Sequence, residues 1–408
     1  MGTARPFALA MIIDAVGSGL FLPFSLLYFH HVGGLSLTEV GLGLTTAMLI
    51  GYSRAAGRRS AGRPRWPQDC GGGHQRRSRC GVPGVLIRPG PGRVDRRRPP
   101  GLGERSAVLG GPADPDRRVR RPGSRDRWFG LTVALRAAGL GVGGLLAGLA
   151  VSSLGLVGFH ALTVANAVSF ALAALLVARL PTPKRAAIAS PLAHESPKGF
   201  RAVLADRPFC WIIASNSVFG IARTMILVGF PVYAIQVLGV PAWLAGVLYA
   251  VYTALLAVAQ TSLVRRLEHH RRTRALMLSA LLWAGSFVLL AVAPLLPRQA
   301  IVAYLSVVTV LYTVAVMVHA GVIDALVIEA APDTLRGRYV AAFNLSWAAA
   351  NALAAGLFTT LLAWYAGLPW IALTALLLLA LVGVRRAEPR LARQAVHVRS
   401  DQPSGMLP

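Results

Sequence analysis

An aspartate at position 14 lies inside an otherwise apolar stretch, with Gly17 and Phe21 on the same helical face at i+3 and i+7. A carboxylate in such a place can take up and release a proton as it moves between dry and wet surroundings, because desolvation disfavours the charged form. It can equally pair with a nearby arginine or satisfy a backbone defect. Arg136 stands about two turns into another apolar stretch, where a cation could hold an anionic group or serve as the partner of Asp14. Asn216, Gly220 and Arg223 recur at i, i+4 and i+7 as a polar stripe, and Arg223 is too deep in its stretch to snorkel outward. That stripe either lines a cavity or closes an internal salt bridge. Asn344, Trp347 and Asn351 repeat the pattern at i, i+3 and i+7. Two amides and an indole suit an amphipathic ligand, and the amides would also serve as hydrogen bonds between helices. The candidate substrate cavity is therefore Arg136, Asn216, Arg223, Asn344, Trp347 and Asn351, with Asp14 as the candidate proton site.

Other polar residues read differently. His319, Asp324 and Glu329 run along one apolar stretch, and the two acids are expected to pair with Arg336 or Arg338 just beyond it rather than bind substrate. Gly139 with Gly143, and Gly144 with Gly148, are small-xxx-small pairs that allow close helix packing. Cys70, Cys80 and Cys210 have no metal-ligand spacing, and the pairs His30–His31 and His269–His270 have no evident third ligand, so no metal is expected. There is no phosphate-binding G-x-x-x-x-G-K-[ST] loop, nucleophile elbow, zinc helix or kinase set. No catalytic residues and no cofactor are expected, and ATP-driven transport by this chain alone is disfavoured.

The elements that must hold these residues are membrane spans. The chain of 408 residues is 55% hydrophobic and 14% charged, more apolar than one soluble core requires. Its apolar stretches are about 18 to 25 residues long, enough to cross a hydrocarbon core of about 30 Å. An all-α, polytopic architecture follows, with spans expected at residues 6–29, 37–51, 128–152, 157–178, 209–237, 242–264, 275–296, 301–330, 340–364 and 369–384. The first of these resembles a signal peptide, but it continues past Asp14 without a small-residue cleavage site, so an uncleaved span is expected. Residues 1–51 hold the first two spans, 128–180 the rest of a first bundle, 181–207 a polar connector, 208–386 a second bundle of six helices, and 387–408 a basic tail.

Arginines cluster in alternate loops: Arg265, Arg266, Arg271, Arg272 and Arg274 in one, Arg336 and Arg338 in another, and Arg385, Arg386, Arg390 and Arg393 at the tail. Positive charge marks the cytoplasmic side, so both termini and the connector are expected inside a plasma membrane. The net charge of +26 then reports topology, not a nucleic-acid partner. The expected partners are a small molecule, protons and the lipid bilayer, with the chain a monomer.

These features resemble the major facilitator superfamily. The resemblance rests on two helical halves about a polar connector, "LRGRY" at 335–339 after "APD" at 331–333, "DRWFGL" at 126–131 leading into the glycine-rich helix, and "FRAVLADRPF" at 200–209. It implies twelve helices in two bundles, each built of inverted three-helix repeats, with a substrate site at the midplane between them. It also implies secondary transport of a small molecule by alternating access, often coupled to protons. Drug or metabolite exporters are the preferred subgroup, by analogy.

The sequence departs from that family in one stretch. Residues 52–127 are rich in Arg, Gly and Pro, carry 20 arginines against six acids, and stand where a third and a fourth helix are expected. The family's G-x-L-x-D-R-x-G-[RK]-[RK] loop is also missing there. One reading is a basic insert that cannot bury a core and binds anionic lipid. The other is translation in a shifted frame. CGN arginine codons read one base later become GNN, so the arginine excess vanishes. Trp66 followed by Pro67 must then give Gly, and Gln68 followed by Asp69 must give Lys or Arg, both where the missing loop requires them. Cys80 followed by Gly81 must give Ala or Val, as in an apolar helix. A non-transporting membrane protein, either a defective product or a lipid-binding scaffold, is thus the alternative to a carrier.

Overall fold

The computed structural model describes residues 4–60, 124–179, 198–267, 271–332 and 334–390. The expected connector 181–207 is described only from residue 198, and the tail only as far as residue 390. Of the arginine-rich stretch, residues 61–123 lie outside the described residues. Its two ends continue the flanking helices, so these begin and end beyond the boundaries read from hydropathy.

Prolines, glycines and side-chain caps set where the helices begin and end. α1 (Ala4–Phe21) and α2 (Ser25–Gly33) meet at Pro23, which cannot donate a backbone hydrogen bond, and their axes bend by 52° between Phe21 and Ser25. Gly34, at φ 64°, ends α2. α3 (Leu37–Ser60) then starts from a reciprocal cap: Ser36 N donates to Glu39 Oε2 at 2.8 Å, and Glu39 N donates to Ser36 Oγ at 3.3 Å. α4 (Ser124–Leu154) and α5 (Leu156–Ala178) are separated by Gly155 alone. After the short α6 (Lys198–Ala205), α7 (Arg207–Val232) is capped by Asp206, whose Oδ1 accepts from Phe209 N at 3.1 Å. Pro231 near its end precedes a π-helical turn over Tyr233–Val237. The remaining helices are α8 (Ala242–Leu267), α9 (Arg272–Val292), α10 (Arg298–Ala330), α11 (Arg336–Trp364) and α12 (Leu368–Ala387).

Among the described residues, eight helices are long and apolar enough to span a membrane, and the bent pair α1–α2 makes a ninth. α3, with 24 residues, has the length but not the hydropathy. Leu172, Leu175, Val164 and Val168 of α5 are exposed, as lipid-facing side chains must be in a protein whose surroundings are hydrocarbon.

The helices form two halves. α1 packs on α4 and α5 in the first half, while in the second α7 packs on α11 and α12, and α9 on α10 and α12. The halves are built differently. The second has an aromatic core, with Phe287 stacked on Trp370 at 5.8 Å and the buried Tyr233 hydroxyl donating to Leu290 O at 2.7 Å. The first relies on backbone approach: a Cβ on Gly143 would stand 2.2 Å from Val16 O, and one on Gly19 2.3 Å from Leu140 O.

Two seams join the halves, α4 with α8 and α3 with α11. Gly148 meets Gly246 across the first, and Trp243 N donates to Ser152 Oγ at 2.7 Å. Across the second, Gly356 N donates to Thr45 Oγ1 at 3.1 Å, and Gly41 lies against Thr359. Both seams lie at the end of the molecule that carries the turns at Gly34, Gly155 and Gly239. The opposite end carries Arg265, Arg266, Arg336, Arg338, Arg385 and Arg386.

Candidate functional site

Arg223 is the centre of a group of polar and aromatic side chains from α7, α8, α10 and α11. It lies deep in α7 yet is exposed, bordering a cleft that side chains of α8, α10 and α11 also line. Its guanidinium sits 5.8 Å from the ring centroid of Trp347 on α11, within cation–π range. Gly220, one turn back along α7, makes room for that indole: a Cβ there would be 3.2 Å from Trp347 Cε3 and 2.8 Å from Ala350 Cβ. Tyr252, Tyr249 and Tyr312 lie within electrostatic reach of the guanidinium. These rings form a continuous wall: Tyr249 and Tyr252 are 6.0 Å apart, Tyr252 and Tyr312 5.6 Å, and Tyr312 and Trp283 5.4 Å.

The structure gathers some of the residues expected from the sequence and disperses others. Arg136 on α4 is half-buried and, like Arg223, lies within electrostatic reach of Tyr249. Asn351 is half-buried, its Oδ1 accepting from the Thr224 hydroxyl. Asn344 is exposed, one turn from Trp347 toward the arginine-rich end.

Asn216 does not border the cleft. It is 1% exposed between α7 and α11, with its Nδ2 donating to Ser346 Oγ at 3.0 Å. The period of a polar stripe gives its face, and at Asn216 that face is covered by α11. Asp14 is half-buried on α1, a turn from Gly17, whose face packs on Ser169 and Asn166 of α5. No hydrogen bond or ion pair joins Asp14 to Arg136 among the described residues.

The acids near the arginine-rich end differ from expectation in partner. Glu329 pairs with Arg272 of α9, at 2.9 Å and 3.0 Å through its two oxygens, instead of with Arg336 or Arg338. α9 and α10 run side by side, which brings Arg272 to Glu329 across 57 residues of sequence. Asp324 is exposed on α10 and lies within the field of Arg223 without forming an ion pair.

The glycines of α4 divide between two neighbours. Gly139 and Gly143 admit α1, while Gly144 lies against the Tyr249 ring and Gly148 against Ala242 and Gly246 of α8. Gly144 thus helps to seat one ring of the aromatic wall.

Sequence reasoning missed the three tyrosines, Thr224, Trp283 and Arg272. A signal existed for one pair: Tyr249 and Tyr252 stand at i and i+3 on an apolar helix, on one face, as Trp347 and Asn344 do. Among the described residues, no group of three His, Cys, Asp or Glu side chains could hold a metal ion.

A two-halved helical protein, with charged and aromatic side chains in a cleft closed at one end, has the architecture of a secondary carrier. Residues 121–355 match the family model of the Major Facilitator Superfamily, which is more than half of the chain. The chain belongs to that superfamily and is a multi-pass membrane protein. No curated protein matches the sequence. Similar solved structures include a POT family transporter in complex with a thioalcohol-conjugated peptide, with TM-score 0.62 and 12% identity over 95% of this chain and 96% of that one. A peptide transporter POT in complex with sulfate has TM-score 0.57 and 15% identity, covering 95% of each chain. A bacterial metal transporter has TM-score 0.55 and 15% identity over 95% of this chain and 99% of that one. At these identities the likeness is one of fold.

Proposed function

We propose that the protein is a proton-coupled exporter of a small molecule, working by alternating access. The observation that carries the reading is the placement of Arg223: an exposed cation in mid-helix, inside a cleft whose two seams both close at the same end. The open end is the one with the arginine-rich loops. By the positive-inside rule it faces the cytoplasm, so the site is presented where an exporter loads. Parting the seams while the arginine-rich ends approach would present it on the other side.

Asp14 is the proposed proton site. It is half-buried on α1 within the first span and, among the described residues, has no ion-pair partner. Loaded vesicles of the full chain should take up protons as substrate leaves, and Asp14→Asn should keep substrate binding while losing the proton flux. Proton movement that survives this substitution removes Asp14 from the mechanism. The fold does not choose the substrate, since peptide, sulfate and metal all stand in the names of its structural neighbours.

A second reading is favoured by the unequal halves: among the described residues α1 to α5 make three spans, counting the bent pair as one and leaving out α3, whose hydropathy is too low, against six in α7 to α12. In this reading residues 52–127 are the product of a shifted frame that replaces two helices of the first bundle, and the chain as written does not transport. The nucleotide sequence decides it. An uninterrupted +1 frame with two apolar spans between the codons of Tyr52 and Arg127 supports it, and stop codons in that frame sink it.

A further inference from the structure

We infer that the substrate is an aromatic organic anion, its acidic group bound by Arg223 and its ring seated between Trp347 and the tyrosine wall. This rests on the cleft being the transport site. The argument is one of donors and acceptors. Arg223 forms no ion pair with an acid among the described residues: Asp324, the acid that shares its field, stays apart. Its close neighbours are the Trp347 indole and the phenols of Tyr249, Tyr252 and Tyr312, which offer π-faces and hydroxyls but no formal charge. Arg136 lies within electrostatic reach of Tyr249.

The remaining groups carry no negative charge, and the neutral acceptors among them include the phenols and the Nε2 of His319, which is unpartnered among the described residues and whose ring is 6.5 Å from that of Trp347. Thr224 occupies the carbonyl oxygen of Asn351, which turns that side chain's amide N–H groups toward use as donors. The indole N–H of Trp283, buried at the end of the aromatic wall, has no hydrogen-bond partner among the described residues. A site made of the Arg223 guanidinium, an amide N–H pair and phenols is complementary to a ligand that accepts, and a planar guanidinium matches a carboxylate bidentately. The ring spacing of 5.4 to 6.0 Å along the wall suits edge and offset contacts with a flat apolar body. A cationic substrate would meet the like charge of Arg223.

The test measures equilibrium binding to the full chain in lipid nanodiscs, using 2-naphthoate, its uncharged amide 2-naphthamide, cyclohexanecarboxylate and 2-naphthylmethylammonium. The acid should bind about tenfold or more tightly than the amide, as charge-assisted hydrogen bonds require. Arg223→Gln should abolish that preference while leaving amide binding within about twofold, which also shows that the variant is folded. Trp347→Leu should bring naphthoate down toward cyclohexanecarboxylate. Equal binding of acid and amide, tighter binding of the ammonium, an acid preference that persists in Arg223→Gln, or no saturable binding by any probe overturns the inference. Flux plays no part in this readout. Acid binding without proton movement defeats the exporter reading alone, and proton-coupled flux of an uncharged or cationic compound defeats the inference alone.

Discussion

The Tyr339 hydroxyl donates to Asp206 Oδ2 at 2.8 Å, while the other oxygen of the same carboxylate caps α7. Asp206 belongs to the "ADRPF" run before α7 and Tyr339 to the "RGRY" run that opens α11, and the Tyr339 ring lies 4.2 Å from that of Phe209. One carboxylate therefore fixes both where α7 begins and where α11 stands beside it. Tyr339→Phe should lower stability by about 1.5 kcal/mol, the worth of a hydrogen bond to a charged group. Asp206→Ala should cost more, about 2.5 kcal/mol, since the cap is lost as well. Unfolding in detergent measures both, and the double variant should cost less than the sum; strict additivity would show that the two residues act separately.

Removing Glu329 should be more damaging than its exposed position suggests. Its partner Arg272 has a side chain only 8% exposed, so Glu329→Gln deprives a nearly buried cation of this ion pair. A loss of about 2 kcal/mol is expected, reduced because the glutamate itself is 41% exposed and screened by solvent. Replacing both residues, Arg272→Met with Glu329→Gln, should recover most of that loss in the same unfolding measurement.

Gly220 holds the cleft open by being small. In Gly220→Val the new side chain must displace Trp347 or Ala350, which stand 3.2 Å and 2.8 Å from its Cβ position. The expected outcome is a loss of at least tenfold in substrate affinity, with stability lowered by about 1 to 3 kcal/mol from overpacking. Gly285, whose Cβ position has no neighbour within 4 Å, provides the control: Gly285→Ala should leave binding unchanged.

The seams offer a direct view of conformation. Gly148→Ala puts a methyl 2.7 Å from Ala242 O and 3.0 Å from Gly246 Cα, so α4 and α8 cannot close as tightly. With Ser152 and Trp243 replaced by cysteine in a background lacking the native cysteines, cross-linking across the seam should fall when Gly148→Ala is added. Undiminished cross-linking would show that the close glycine approach is not what holds this seam.

Much of this architecture is legible in the sequence because membrane spans are constrained by length and hydropathy, and because Pro23, Ser36 with Glu39, and Asp206 with Pro208 mark helix ends chemically. Arg223 and Trp347 were legible too, as polar and aromatic residues deep in apolar helices at a single helical face. Asn216 was not, since helical period cannot say whether a face meets a cleft or another helix. The partner of Glu329 was chosen by nearness in sequence, while the pairing of α9 with α10 chose Arg272. Tyr249, Tyr252 and Tyr312 escaped notice because a tyrosine in a span is ordinary until its neighbours are known.

The seams also bear on how easily the protein changes state. Ser152 with the Trp243 amide, and Thr45 with the Gly356 amide, are single neutral hydrogen bonds, each worth about 1 kcal/mol net. The flanking contacts set glycine against backbone at Gly148 and Gly246, while apolar side chains of both halves, Phe24, Leu27 and Met225 among them, share one buried cluster. The polar share of these fastenings is light, and the rest must be outweighed by a ligand's differential affinity for the two conformations if the populations are to reverse. On those terms the seams act less as a lock than as a balance, and a bound molecule in the cleft is the weight that would tip it.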